Sequence, residues 1–363
     1  MKAILLAGGQ GTRLRPLTLH APKPVVPIFN RPFLQYQIDL LRQLPEITEI
    51  ILSLNYQPRR IEDTFGDGTD QGIHLRYVVE PSPLGTAGAV KYAEEYLDEA
   101  VVVFNGDVLT EVDLRAVLDL HRSRSAKATI VLTPVPNPAA YGLVEADAEG
   151  NVQRFLEKPT GDQITCKTIN AGIYVLEPDT FDRIPRDTNW SIERRYFPSL
   201  VEQGDTFVAY VYDGYWIDIG TPEKYQQVHR DIMAARFSAA PFHGQSRSLV
   251  AGSARIDGSA VVETPCFVDE DAVVKAGARI GAFSVIGQRC HVGEGAVVEG
   301  SILWPDCWIG EGAAVRGAIL ARHCHVGHGT VVGAGTVLGS RSAVTDFSRV
   351  PGHTARDEPD TTS

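Results

Sequence analysis

Short aliphatic runs, each closed by polar or glycine positions, recur through the first two thirds of the chain. Lys2 to Leu6, Glu49 to Leu54, Leu75 to Val79, Val101 to Asn105 and Ala128 to Val135 read as strands. Amphipathic stretches between them, Phe33 to Leu44, Thr86 to Leu97 and Leu114 to Arg122, read as helices. This alternation predicts an α/β domain whose mostly parallel sheet is covered on both faces and binds ligands at the carboxyl ends of its strands. Val152 to Leu156, Ile169 to Leu176 and Phe207 to Tyr212 add strands, and Ser191 to Gln203 a helix, to complete a domain over residues 1–235.

The pattern then changes. Residues 236–253, rich in Ser, Ala, Gly and Pro, read as a linker. Beyond it aliphatic residues recur every six positions through Ile256, Val262, Val268, Val274, Ile280, Ile286, Val292 and Val298. The register slips by one to Leu303, Ile309 and Val315, and again to Leu320, Val326, Val332 and Leu338. A six-residue period with three short strands per coil predicts a parallel β-helix of hexapeptide repeats over 254–345, with a turn losing a residue at each slip. Residues 346–363 form a polar tail.

Two residues before each aliphatic position stands a small one, and Cys266, Cys290, Cys307 and Cys324 occupy four of these places. Their identity is therefore set by volume rather than by metal or redox chemistry. His323, Cys324, His325 and His328 invite a zinc reading, but neighbouring strand residues point to opposite faces and the spacing fits no usual zinc pattern.

The formal net charge of −11 over 363 residues argues against partners met through bulk positive charge, so neither nucleic acid nor an anionic membrane is expected. The chain enters a strand directly, without a basic region followed by an apolar one, and five cysteines show no disulfide framework. A cytoplasmic protein is expected. Any phosphate recognition must be local.

The first turn supplies it. Leu6, Ala7, Gly8, Gly9, Gln10, Gly11, Thr12 and Arg13 join a strand to a glycine loop that lets backbone N–H groups approach phosphate oxygens. Arg13 and Arg15 add permanent positive charge, and Lys23, among Pro22, Pro24 and Pro27, a further cation. The loop is neither a P-loop nor a dinucleotide fingerprint. Asn105-Gly106-Asp107 ends an apolar strand, so Asp107 emerges at the sheet's carboxyl edge, where a Mg²⁺ ligand belongs. Its partner is Asp218, in the apolar Trp216-Ile217-Asp218-Ile219-Gly220; Asp213 is the rival, better explained as a solvated turn. Glu157-Lys158 and Asn170-Ala171-Gly172 pair polar side chains with strand ends, suited to sugar hydroxyls and a phosphate.

Taken in order, the glycine loop, Lys23, Leu84-Gly85-Thr86-Ala87-Gly88, Gly106-Asp107, Tyr141-Gly142, Glu157-Lys158-Pro159, Asn170-Ala171-Gly172 and Trp216 to Gly220 resemble the sugar-1-phosphate nucleotidylyltransferases. Within that family they are most similar to the branch that uses GTP and mannose 1-phosphate, through Arg13-Leu14-Arg15-Pro16-Leu17-Thr18 and Ser191-Ile192-Glu193 before Phe197-Pro198. The resemblance implies a Rossmann-like catalytic domain followed by a left-handed β-helix. It also implies a reaction in which a sugar 1-phosphate attacks a nucleoside triphosphate and expels pyrophosphate.

It assigns nucleotide contacts to Leu6, Ala7, Gly8, Gly9, Gly11, Thr12, Arg13, Lys23, Glu80, Gly85 and Thr86. Sugar-phosphate contacts fall to Gly142, Glu157, Lys158 and Asn170. Arg13 and Lys23 take the catalytic charge, and Asp107 and Asp218 hold Mg²⁺. Relatives using uridine or thymidine triphosphate typically carry glutamine five positions before the loop glycine, whereas this chain has Glu80 before Gly85. An ionised carboxylate only accepts, and guanine offers two adjacent donors, so GTP is the expected nucleotide and mannose 1-phosphate the expected sugar. A glucose-1-phosphate transferase using another triphosphate, an additional acyl transfer by the β-helix, and a silent regulatory homologue are the rival readings. Flat β-helix faces suit a homo-oligomer.

Overall fold

The structure, a computed structural model, describes residues 1–157, 164–242 and 248–352. Chain contacts divide it into two units. The first comprises Met1–Gln10, Pro22–Val25 and Leu34–Asp218; the second comprises Gly11–Ala21, Val26–Phe33 and the chain from Ile219 onward.

Among the described residues thirteen strands precede the β-helix. They are β1 (Lys2–Leu6), β2 (Pro27–Ile28), β3 (Arg31–Pro32), β4 (Glu49–Leu54), β5 (His74–Val79), β6 (Val101–Asn105), β7 (Val108–Thr110), β8 (Ala128–Pro134), β9 (Gly142–Ala146), β10 (Val152–Glu157), β11 (Thr168–Leu176), β12 (Phe207–Val211) and β13 (Trp216–Asp218). Six helices accompany them: α1 (Phe33–Leu41), α2 (Pro58–Phe65), α3 (Gly85–Tyr92), α4 (Leu114–Ser123), α5 (Phe197–Glu202) and α6 (Pro222–Met233).

The main sheet of the first unit runs β10-β9-β11-β6-β1-β4-β5, with β8 beside β11 and β12 beside β8. Strands β6, β1, β4 and β5 are parallel, as the alternation predicts. The other half is largely antiparallel, because β11 runs against β6 and β8 and β9 pairs with β10 through a tight turn. The sheet is thus mixed rather than mostly parallel. Its apolar runs are explained by burial on both faces. Ala3, Leu5, Ile50 and Leu52 pack with Leu34, Ile38 and Leu41 of α1, while Ile4, Ile51 and Val103 pack with Ala87 and Val90 of α3.

Three predicted helices are shorter than their pattern, the first ending at Leu41 rather than Leu44. The stretch from Thr86 breaks after Tyr92 into a 3₁₀ turn at Glu94–Tyr96. The stretch from Ser191 is a π turn, Ile192–Tyr196, before α5. Helix α2, with Pro58 in its first turn, was not legible because its apolar face holds little beyond Ile61 and Phe65.

In the second unit the six-residue period builds a parallel β-helix of three six-stranded sheets. Its first rung, Leu249–Val250, pairs with Phe267–Val268 and so falls inside the segment read as a linker. The last, Arg349–Val350, pairs with Val331–Val332. From Asp271 before Val274 to Phe347 before Val350, the residue three positions ahead of each inward aliphatic has positive φ and turns the corner. At the two slips that residue is Gly300 and Gly317. Small inward positions also do polar work. Ser284, Ser301, Cys290 and Cys307 each donate to a backbone carbonyl fourteen residues on, at 3.1–3.2 Å.

One outer face of the β-helix is covered within the same unit. Phe29 packs on Phe242 and Phe267, with ring centroids 5.0 and 5.2 Å apart, and the Trp304 indole N–H donates to the Tyr225 hydroxyl at 2.9 Å. Among the described residues no helix is long and apolar enough to cross a membrane.

Candidate active site

In the first unit β1 ends at the glycine loop and is pinned on both sides. The Ala7 N–H donates to the Ser53 carbonyl at 2.9 Å, and the Gly106 N–H to the Leu6 carbonyl at 3.0 Å. A Cβ on Gly106 would lie 2.4 Å from that carbonyl, which is why the turn before Asp107 needs glycine. The Leu6–Gly9 segment and the Asp107 turn are therefore neighbours, as the strand-end reading requires.

Asp107 pairs with Lys23 at 3.2 Å. Its turn is stapled by Gln37 of α1, a buried amide that donates to the carbonyls of Asn105 at 2.9 Å and Val108 at 2.7 Å. Strand β13 runs antiparallel to β7 with Asp218 opposite Val108, so the two carboxylate-bearing residues sit one position apart on paired strands. Tyr141 donates to Asp218 Oδ1 at 2.9 Å, and its ring meets Trp216 edge-on at 5.7 Å. Asp213 lies exposed outside the strand. Two carboxylates in this register suit Mg²⁺, a hard ion that takes one or two protein carboxylates and completes its shell with phosphate oxygens and water. No group of three or more metal-ligating side chains occurs among the described residues.

On the antiparallel side of the same unit, Gly142 and Glu157 are register partners across β9 and β10. Lys158 lies outside the described residues. Asn170 accepts from the Gly172 N–H at 2.8 Å and donates to the Tyr174 hydroxyl at 2.8 Å. Tyr174 is fully buried, and desolvation pushes its phenol well above the ordinary range, so it stays protonated. Gly172, at φ 76°, presses on Asn105, whose amide nitrogen would lie 2.8 Å from an added Cβ.

Glu80, at the end of β5, is buried. Its Oε1 accepts from the Ser53 hydroxyl and its Oε2 from the Leu84 N–H, both at 2.9 Å. A Cβ on Gly8 would lie 3.4 Å from Oε1, so the carboxylate stands beside the glycine loop rather than in solvent. Gly85 has φ 71° and no room for a side chain against the Trp190 carbonyl, 2.9 Å from an added Cβ. The Thr86 hydroxyl is spent on structure. It donates to Glu193 at 3.2 Å and accepts from the Ile192 N–H at 2.8 Å, so what Thr86 has left to offer a nucleotide is backbone.

The second unit carries Gly11, Thr12 and Arg13. Gly11 adopts φ 59°, and its carbonyl is held by the buried Thr18 hydroxyl at 2.8 Å. Thr12–Leu14 forms a 3₁₀ turn anchored by buried Leu14. The Arg13 guanidinium lies over Gly220, its Cζ 3.0 Å from where a Cβ would stand.

Residues 2–235 match the nucleotidyl transferase family, and 262–355 match the GMPPB C-terminal domain. The chain belongs to the nucleotidyl transferase family. It is 43% identical over 236 residues, 64% of each chain, to mannose-1-phosphate guanylyltransferase of Mycobacterium tuberculosis. The match thus spans less than two thirds of that relative's length. Over 277 residues, 75% of each chain, it is 37% identical to a probable mannose-1-phosphate guanylyltransferase 1 of Oryza sativa. A solved relative, HddC of Yersinia pseudotuberculosis in complex with GMP-PN, superposes with a TM-score of 0.54 at 31% identity, covering 62% of this chain and 96% of that one.

Ser53 and Gln37 were not singled out by the sequence reading, and Tyr141 and Gly220 stood in its motifs without a role of their own. The first two left a signal. Ser53 interrupts the aliphatic run Ile50 to Leu54, and Gln37 sits among the apolar residues of α1. A polar side chain in such a place requires a partner.

Proposed function

We propose that this nucleotidyl transferase joins the GMP moiety of GTP to mannose 1-phosphate, giving GDP-mannose and pyrophosphate. The observation that carries the reading is Glu80, a buried carboxylate beside Gly8 with one acceptor position of each oxygen already used. The remaining position on each oxygen matches the N1–H and 2-amino donors of guanine, whereas uracil and thymine would oppose a carbonyl to it. The names of the relatives and the GMP-PN bound to HddC agree with this choice.

An oxygen of the sugar phosphate bonds to the α-phosphorus of GTP while the bond to the bridging oxygen breaks, and pyrophosphate leaves with that electron pair. The attacking oxygen is already anionic, so neither a general base nor a covalent intermediate is needed. The protein's task is positioning and charge neutralisation. Backbone N–H groups of the glycine loop receive the phosphates, and Arg13 and Lys23 offset the charge that accumulates on the leaving pyrophosphate. Gly142, Glu157 and Asn170 orient the sugar, and Lys158 draws in its phosphate. Asp107 and Asp218 would hold Mg²⁺, which when bound would supply positive charge that offsets the repulsion among the phosphates.

Pyrophosphate release measured across GTP, UTP, dTTP and ATP with mannose and glucose 1-phosphates tests the assignment. Highest turnover is expected for GTP with mannose 1-phosphate. Glu80→Gln should lower kcat/KM for GTP relative to UTP by about 10- to 100-fold, the cost of mispairing a buried polar group. An unchanged ratio sinks the guanine reading, and preference for UTP with glucose 1-phosphate replaces it with a uridylyltransferase, the name borne by a Synechocystis relative at 36% identity.

A further inference from the structure

Ser53 has no exposed surface, and it stands in β4 with its Cα in register with Leu6, the last residue before the glycine loop. Its carbonyl receives the Ala7 N–H at 2.9 Å. The hydroxyl has a single proton to give, and it goes to Glu80 Oε1. The other Glu80 oxygen is held by the Leu84 N–H, immediately before α3. The two donors come from different elements and take different oxygens, so together they fix the plane of the carboxylate as well as its position.

That distinction bears on base selection. A carboxylate free to turn about its last torsion can still accept one hydrogen bond from the single N–H of uracil, or one from guanine. Accepting the two parallel donors of guanine at once requires both oxygens to lie in the plane of the base. We propose that Ser53 is a specificity-determining residue, acting through Glu80, and that its hydroxyl creates the preference for guanine by holding the carboxylate in the orientation that receives both donors. The proposal rests on the reading of Glu80 given above. Ser53 itself touches no substrate in this scheme.

The experiment compares wild type, Ser53→Ala and Glu80→Gln with GTP, ITP and UTP at saturating mannose 1-phosphate, alongside melting temperature. ITP keeps N1–H but lacks the 2-amino group, so it asks for one of the two acceptors only. Ser53→Ala should lower kcat/KM about tenfold for GTP, through KM more than kcat, because the lost bond is to a charged group. ITP should lose less and UTP nothing, so the GTP-to-ITP ratio contracts.

Equal losses for GTP, ITP and UTP would overturn the proposal, because they mark a hydroxyl that only satisfies a buried carboxylate. So would an unchanged GTP-to-ITP ratio in Ser53→Ala when Glu80→Gln collapses it. An unchanged ratio in Glu80→Gln itself removes the premise, and that outcome is distinct from failure of Ser53 alone. Should the alanine variant not fold, Ser53→Cys, which keeps the side-chain shape with a larger atom and a weak donor, carries the same comparison, with a smaller contraction of the ratio expected.

Discussion

Single residues in this site are placed by groups far away in sequence. The Arg13 guanidinium rests where any side chain on Gly220 would intrude, and Gly220 lies two positions after Asp218. Because the displaced atoms are the flexible end of an arginine, Gly220→Ala should leave the fold intact and move the charge. If Arg13 neutralises the leaving pyrophosphate, kcat/KM for GTP should fall about tenfold with an unchanged melting temperature. A lowered melting temperature with normal kinetics would instead mark the contact as packing. The roles expected of Asp107 and Asp218 came from residue type and strand-end position, and that of Glu80 from its place in the family's base-binding loop. Gln37, Tyr141 and Ser53 act on those residues through the fold, as Gly220 does on Arg13, and no spacing rule connects them.

At the scale of elements, helix α6 shows how a burial pattern becomes a pH dependence. Thr221 caps it and Pro222 opens it, which suits an amphipathic helix with Tyr225, Val228, His229 and Ile232 buried. His229 accepts from the Phe29 N–H at 3.1 Å and faces the Tyr225 carbonyl at 2.8 Å, so both ring nitrogens are engaged in a neutral tautomer. Burial pushes its pKa down to about 4, with the bond to the Tyr225 carbonyl opposing. A histidine depressed in the folded state leaves stability intact above the unfolded value near 6.5 and removes it as pH falls toward 4, because only the unfolded chain takes up the proton. The loss amounts to at most about 3 kcal/mol. His229→Gln should therefore flatten the decline of denaturant stability between pH 7 and 4, and an equally steep decline would refute this role. In the β-helix the thiol of Cys307 is pushed well above its ordinary range by the neighbouring Cys290 and Cys324 thiols and by burial. That describes an inert packing position.

At the scale of the whole molecule, the units do not follow the chain. Gly11–Ala21 and Val26–Phe33 belong with the β-helix, where a Cβ on Gly339 would lie 3.1 Å from Pro16 and Phe29 packs against Phe267 with tilted rings. A fragment ending at residue 242 should therefore be less stable than the full chain, since each large side chain uncovered forfeits about 2 kcal/mol. Thermal melting of residues 1–242 checks this, and a melting temperature equal to that of the full chain would contradict it. The chain by itself determined the strand runs, the hexapeptide period and the residue types that carry charge, because periodicity and side-chain chemistry are local properties. Tertiary structure decided the rest. It made half of the sheet antiparallel, set Asp218 opposite Val108, fixed the plane of Glu80 through Ser53 and Leu84, and gave the loop of Arg13 to the second unit. Apart from the Leu84 contact, four residues on from Glu80, these join groups tens to hundreds of residues apart, and their meeting depends on how buried surfaces pack, which no local pattern records.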